Sequence, residues 1–261
     1  MEATGSRAGK PRKSVWLTER PPLKRKADQP AGLDLDKIVE TTVRLLDAEG
    51  LAKFSMRRLA AALGVTAMSV YWYVDTKDDL LELAIDAVAG EIDLPDENDP
   101  EADWRDHLRH LAAEYRKVLV THRWAPRLLG EYLNVGPHAI AFSNATLRVM
   151  QGSGLSQEEI SGALGAVFQF VYGFSTIEGL HEERCRETGK TLDEHFQEVI
   201  GAVQGRPEFA ETMEMSEKSL KIQQGVGVRE MRERDFAYAL DVQIAGIEAL
   251  RDRGRSAGRG E

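Results

Sequence analysis

From Asp34 onward, apolar residues return at helical intervals. Ile38, Val39, Val43, Leu45 and Leu46 recur at spacings of three, four and seven until Gly50, and Asp34 stands where an N-cap belongs. A second amphipathic helix is predicted after Phe54. Ser55 is its cap, Leu59, Ala60 and Leu63 form its inner stripe, and Gly64 is its breaker, a residue free to take the positive φ of a sharp turn. A third, short helix is predicted over 67–73. The run Asp75-Thr76-Lys77-Asp78-Asp79 reads as a loop feeding an N-cap at Thr76, with carboxylates favourably placed in the first turn of a helix carrying Leu80, Leu81, Leu83, Ala84 and Val88. That helix ends near Ile92, because DLPDENDPEAD supplies two prolines and a cluster of acidic turn residues typical of a linker.

Beyond the linker, Trp104, Leu108, Leu111, Tyr115, Val118 and Leu119 mark a long helix, and shorter helical pieces are predicted over 127–133 and 137–150. Ser156-Gln157-Glu158-Glu159 opens another with a box-like cap. Its body, ISGALGAVFQFVYGFSTIEGL, is apolar on nearly every side, the mark of a helix covered by neighbours or by a second subunit. The stretch 185–228 is polar and glycine-punctuated, with helical segments near 192–203 and 207–223. Phe236, Leu240, Ile244, Ile247 and Leu250 form the last helical pattern. No period-two alternation suggests a strand, so the expected fold is all-α.

Composition narrows the class. The chain has 261 residues, 42% hydrophobic and 30% charged, which suits a soluble globular protein. The one cysteine, Cys185, excludes an intramolecular disulfide framework. No apolar run long enough for a membrane span is read, and the N-terminus lacks the apolar region of a secretory signal; the expected location is the cytoplasm, with no membrane partner. The net charge of -9 conceals a split. Residues 1–32 hold eight Lys/Arg against three Asp/Glu and contain four prolines, so a basic, flexible arm is expected there. Residues after 80 are strongly acidic, which disfavours nucleic acid as their partner.

A helix, a glycine turn and a short helix rich in Ser, Thr and Tyr make the geometry that inserts a recognition helix into the DNA major groove, although the spacing alone also occurs in helical bundles. The run SMRRLAAALGVTAMSVYWYVDTKDDLLE resembles the helix-turn-helix of TetR-family transcriptional repressors, with Tyr71, Trp72 and Lys77 in the family's characteristic places. The resemblance extends through DWRDHLRHLAAEYRKVLVTHR to GALGAVFQFVYGFSTIEGL, similar to the C-terminal domain of the tetracycline repressor branch. It implies a three-helix DNA-binding domain over 33–80 and a larger helical ligand-binding and dimerisation domain over 81–255. The protein is then expected to repress transcription as a homodimer on a pseudo-palindromic operator in double-stranded DNA, and to be released by a small-molecule inducer. The genes it controls would encode an exporter or antibiotic biosynthesis.

The residues suit these roles. Thr66, Ser69 and Tyr71 offer hydroxyls to phosphates or base edges, and Ala67 and Met68 suit a thymine methyl. Arg57 and Lys77 can each add a phosphate contact at a helix start. By resemblance, Tyr71 and Tyr73 are contacts, and Trp72 is shared between packing and phosphate. Arg20, Lys24, Arg25 and Lys26 lie on the arm just ahead of the first helix, as arginines do on arms that enter an adjacent minor groove. In the acidic half, Trp104, His107, Leu111, Tyr132, Phe142, Phe168, Tyr172 and Phe174 are candidates for lining a cavity for a bulky, partly aromatic compound.

The chain departs from the tetracycline-binding pattern. Asp93 stands where that repressor's first drug-contacting histidine falls, and its magnesium-binding histidine and glutamate have no match, so neither tetracycline nor a metal or other cofactor is expected. His107 with His110, and His181 with Cys185, could each be half a metal site or a nucleophile and base, but neither pair has a visible third partner. An enzyme is therefore not expected. A transcriptional activator of the same fold stays open.

Overall fold

In the computed structural model, which describes residues 14–17, 33–96, 103–223 and 225–257, every regular element is a helix. Helix α1 spans Leu35–Glu49; the Asp34 carboxylate accepts from Lys37 N at 2.8 Å to cap it, and Gly50 ends it at φ 78°. Helix α2 (Met56–Leu63) is capped by Ser55, and α3 (Ala67–Tyr71) by Thr66. Helix α4 (Lys77–Ala89) opens with a full capping box: Asp79 N donates to Thr76 Oγ1 at 3.0 Å, and Thr76 N donates to Asp79 Oδ2 at 3.2 Å. There follow α5 (Trp104–Thr121), α6 (Ala125–Glu131), α7 (Pro137–Gln151), α8 (Gln157–Thr188), α9 (Leu192–Val203), α10 (Ala210–Gln223) and α11 (Val228–Ala257). Single 3₁₀ turns occur at Val15–Leu17, Leu51–Lys53 and Pro207–Phe209.

The chain divides into two compact units, one of residues 1–93 and 122–144, the other of 94–121 and 145–261. By their contacts, residues 122–144 group with the unit that holds α1 to α4. The core of this first unit is built on Ile38 and Leu46 of α1, Leu59 of α2, Val70 of α3, Leu80 of α4 and Leu128 of α6, all fully buried. Each contributes roughly 1.5–3 kcal/mol of apolar burial. Helix α4 also carries three buried carboxylates, the capping Asp79 and, deeper along the helix, Glu82 and Asp86. Glu82 is satisfied from the N-terminal side: the Ser14 hydroxyl donates to it, and Val15 N donates at 3.1 Å. The apolar trio Val15-Trp16-Leu17 thus begins as a docked turn on α4.

In the second unit α5 packs along α8, with Leu108, Leu111, Leu119 and Val167 fully buried. Helix α8 corrects one expectation from the sequence. It does contain an 18-residue window of mean hydropathy 1.4, long and apolar enough by composition to span a membrane, and only 22% of that window is buried in the single chain. Such a helix has an apolar surface still to be covered.

Candidate nucleic-acid interface and ligand-lining residues

The turn between α2 and α3 is set by Gly64, which takes a left-handed conformation at φ 69°, ψ 28°. Its N–H donates to Ala61 O at 3.2 Å and Val65 N donates to Ala60 O at 3.0 Å, so the last carbonyls of α2 are satisfied while the chain reverses. Thr66 then caps α3, accepting from Ser69 N at 3.2 Å. With Val70 fully buried as its pivot, α3 turns Met68 and Tyr71 outward at 65% and 42% exposure. Thr66 is exposed, and Ala67 and Trp72 are half-buried. Arg57 is exposed at the start of α2.

Three expected contacts are drawn inward. Tyr73 is a correction: its ring is only 8% exposed, and its hydroxyl donates to Leu33 O at 2.7 Å, tying the start of α1 to the end of α3. It is a core residue, so of the aromatic trio Tyr71 is exposed, Trp72 half-buried and Tyr73 buried. Ser69 is buried, with its hydroxyl 2.9 Å from that of Thr66. Lys77 is half-buried; its ammonium donates to Phe54 O at 3.1 Å and lies 5.4 Å from the centre of the Phe54 ring. Arg20, Lys24, Arg25 and Lys26 lie outside the described residues. Arg58, which the sequence reading passed over, forms a two-point ion pair with Glu49 that fastens α2 to α1. Hydrogen bonding with Arg58 holds the Glu49 carboxyl below its usual range. An i, i+9 pairing across a turn has no sequence signature.

The ligand candidates separate between the units. Trp104, His107, Leu111, Phe168, Tyr172 and Phe174 belong to the second, whereas Tyr132 and Phe142 belong to the first, where the Tyr132 hydroxyl donates to Asp78 Oδ1 at 3.0 Å. Trp104 and Leu111 are buried core. Phe168 meets Tyr115 edge-on at 5.8 Å, and burial, with Tyr172 nearby, pushes the Tyr115 phenol up to about 12. Phe174 joins Phe170 and Phe236 in a three-ring cluster with centroids 5.3–5.7 Å apart. Over it lies the buried Arg116 guanidinium, 4.6 Å from the Phe236 ring centre and 5.3 Å from that of Phe174. Arg116 is fixed by Glu178 at 2.8 and 3.0 Å and by Glu233 at 2.8 Å. Sequence reasoning missed Tyr115, Phe170, Arg116 and Phe236 as members of this constellation; the four-residue step from Phe170 to Phe174 was its one legible trace.

The pair His181 and Cys185 resolves into ordinary contacts. Arg232 Nη2 lies 2.7 Å from His181 Nδ1, and Cys185 is buried, with its thiol 3.7 Å from Thr191 O. Among the described residues no three His, Cys, Asp or Glu side chains converge as metal ligands.

Comparison with known proteins agrees with this geometry. Residues 38–84 match the family described as bacterial regulatory proteins, tetR family, and residues 94–251 match the tetracyclin repressor-like C-terminal domain. An HTH-type transcriptional regulator of Saccharopolyspora erythraea is 38% identical over 185 residues, covering 70% of this chain and 75% of the relative. The HTH-type transcriptional repressor DrrR1 of Streptomyces coeruleorubidus is 33% identical, covering 71% of this chain and 67% of that protein. Among solved structures, the TetR family protein ActR of Streptomyces coelicolor in complex with actinorhodin superimposes with a TM-score of 0.66 at 25% identity, covering 84% of this chain and 97% of that one.

Proposed function

Since the chain belongs to the tetR family of bacterial regulatory proteins, a family of DNA-binding, ligand-responsive transcriptional regulators and not of enzymes, we propose that it is a repressor that holds a pseudo-palindromic operator as a homodimer and releases it when a small molecule binds. The observation that carries the reading is the presentation of α3. A left-handed glycine turn and a buried Val70 leave Met68, Tyr71 and Thr66 on an outward face able to meet base edges and phosphates. Arg57 and the half-buried Trp72 flank that face. The arm residues Arg20, Lys24, Arg25 and Lys26 add a second, electrostatic mode.

Dimerisation follows from uncovered apolar surface. Ile177 and Leu180 on α8, and Tyr238 and Val242 on α11, are large apolar side chains left exposed at one-turn spacings. A Cβ added at Gly162, Gly165 or Gly173 of α8 would meet open space. Two copies of such a helix pair make an isologous four-helix bundle, which sets two recognition helices about 34–36 Å apart, one turn of B-DNA. The inducer is read as a bulky, partly aromatic compound met by Phe168, Tyr172 and Phe174; ActR, which binds actinorhodin, lends support by likeness. Ligand binding favours a conformation whose recognition helices no longer match the groove spacing, and the operator is lost by population shift. The controlled genes are read as those for an exporter or antibiotic biosynthesis, and the site of action as the cytoplasm.

Fluorescence anisotropy with the duplex upstream of the protein's own gene tests the proposal. Binding at least a thousandfold tighter than to random duplex at moderate salt is expected. Equal affinity for both duplexes would remove the repressor reading.

A further inference from the structure

A cavity of about 890 Å³ opens within the first unit between α1 and α4. Val39 and Val43 of α1 and Leu83 and Ala87 of α4 line its apolar interior, and Trp16 supplies an aromatic wall. That wall is built in. The turn bearing Trp16 is held to α4 by the Ser14 hydroxyl and Val15 N–H, both donating to Glu82, and Ser14, Val15 and Glu82 are all buried. Undocking the turn would strip a buried carboxylate of these donors, which is unfavourable.

The lip of the cavity is acidic. Asp36 and Glu40 on α1 and Glu91 just beyond α4 are exposed there, with Arg44 as their cationic neighbour. The remaining charged groups of the lining are engaged with one another. Asp47 accepts from Trp124 Nε1 at 2.7 Å and pairs with His122 at 2.9 Å; His122 also reaches Glu91 at 3.0 Å. Asp86 takes the His138 ring at 2.9 Å. Carboxylates therefore outnumber cationic groups around an apolar chamber large enough for a drug-sized molecule.

We propose that this cavity is a second small-molecule site, carried by the DNA-binding unit itself, and that it takes an amphipathic organic cation. The apolar body fills the space between Val39, Val43, Leu83 and Ala87, the Trp16 face meets the positive charge, and Asp36 and Glu40 select its sign. The site is separate from the aromatic residues of the second unit to which the inducer is assigned. Its test reads ligand binding alone, so it stands or falls independently of the repressor reading.

Tetraphenylphosphonium and tetraphenylborate have nearly the same shape and opposite charge, and calorimetric titration of the full chain in sodium buffer distinguishes them. The phosphonium is expected to bind at least tenfold more tightly than the borate. Trp16→Ala should weaken it about tenfold, and Asp36→Asn with Glu40→Gln several-fold, with a flatter salt dependence. Phe236→Ala, in the other unit, should leave it unchanged. Thermal melts verify that each variant is folded, and the charge variant, which alters only exposed side chains, decides the matter should Trp16→Ala perturb the turn. Equal affinity for the two ions would overturn the proposal. So would binding that ignores the Trp16 and acidic variants, or that is lost with Phe236→Ala.

Discussion

The carboxyl group of Asp86 occupies the space that a side chain at Gly136 would need: a Cβ built there would lie 2.2 Å from Asp86 Cγ. Asp86 is held in that place because it caps α7 from α4, accepting from His138 N at 3.1 Å and Ala139 N at 3.0 Å. The glycine is required for close approach, since its backbone is not in the positive-φ region. Gly136→Ala is accordingly expected to destabilise the protein by about 1–3 kcal/mol, read from the denaturation midpoint. A stability equal to wild type would show that the Asp86 cap is dispensable.

The two tyrosines of the α3 segment should respond in opposite ways. Tyr71→Ala removes an exposed side chain and is expected to leave the melting temperature nearly unchanged while weakening operator binding about tenfold or more. Tyr73→Phe deletes the bond to Leu33 O and should cost about 1 kcal/mol of stability, with operator affinity within about twofold of wild type. Anisotropy and thermal denaturation on the same preparations separate the two; a reversal of the pattern would return Tyr73 to the interface.

Arg116 and Glu178 form a buried, two-point pair, with the guanidinium over the Phe174 and Phe236 rings. Breaking it on one side strands a charge, so Arg116→Ala should cost about 3–5 kcal/mol. Replacing both partners with methionine should be markedly milder than the single change, because no ion is then left unpaired. Urea titrations of the two variants make the comparison. A double variant as unstable as the single one would mean that packing, not charge, dominates at this position.

His122 gives a pH dependence of definite sign. Burial opposes its charge, but hydrogen bonds to Asp47 and Glu91 outweigh burial and raise its pKa above the ordinary value. A histidine raised in the folded state contributes stability that is fully present below its unfolded pKa, near about 6.5, and is lost as pH rises through the higher folded value. The stability gap between wild type and His122→Gln is expected to shrink steadily from about pH 6 toward about pH 9. Chemical denaturation across that range reads it directly, and a constant gap would exclude His122 as a charged link.

The exposed stripe on α8 and α11 predicts the oligomeric state. Leu180→Lys combined with Tyr238→Lys places charge on side chains that a single chain leaves uncovered. The pair is expected to convert a dimer of about twice 29.1 kDa into a folded monomer in light-scattering chromatography, with helical circular dichroism retained. A double variant that remained dimeric would move the interface elsewhere.

Much of this protein was legible along one dimension. The caps at Asp34, Ser55, Thr66 and Thr76, the reversal at Gly64 and the all-helical class depend on interactions within a few residues of one another, and local spacing reports such interactions faithfully. What covers each helix face depends instead on partners far apart in the chain. Nothing near Tyr73 announces that its hydroxyl meets Leu33 forty residues earlier, and nothing near Ser14 announces Glu82. Helical period identifies which side chains share a face, whereas the tertiary structure alone decided that Tyr73 is core, that Tyr132 and Phe142 group with the first unit, and that a cavity opens between α1 and α4.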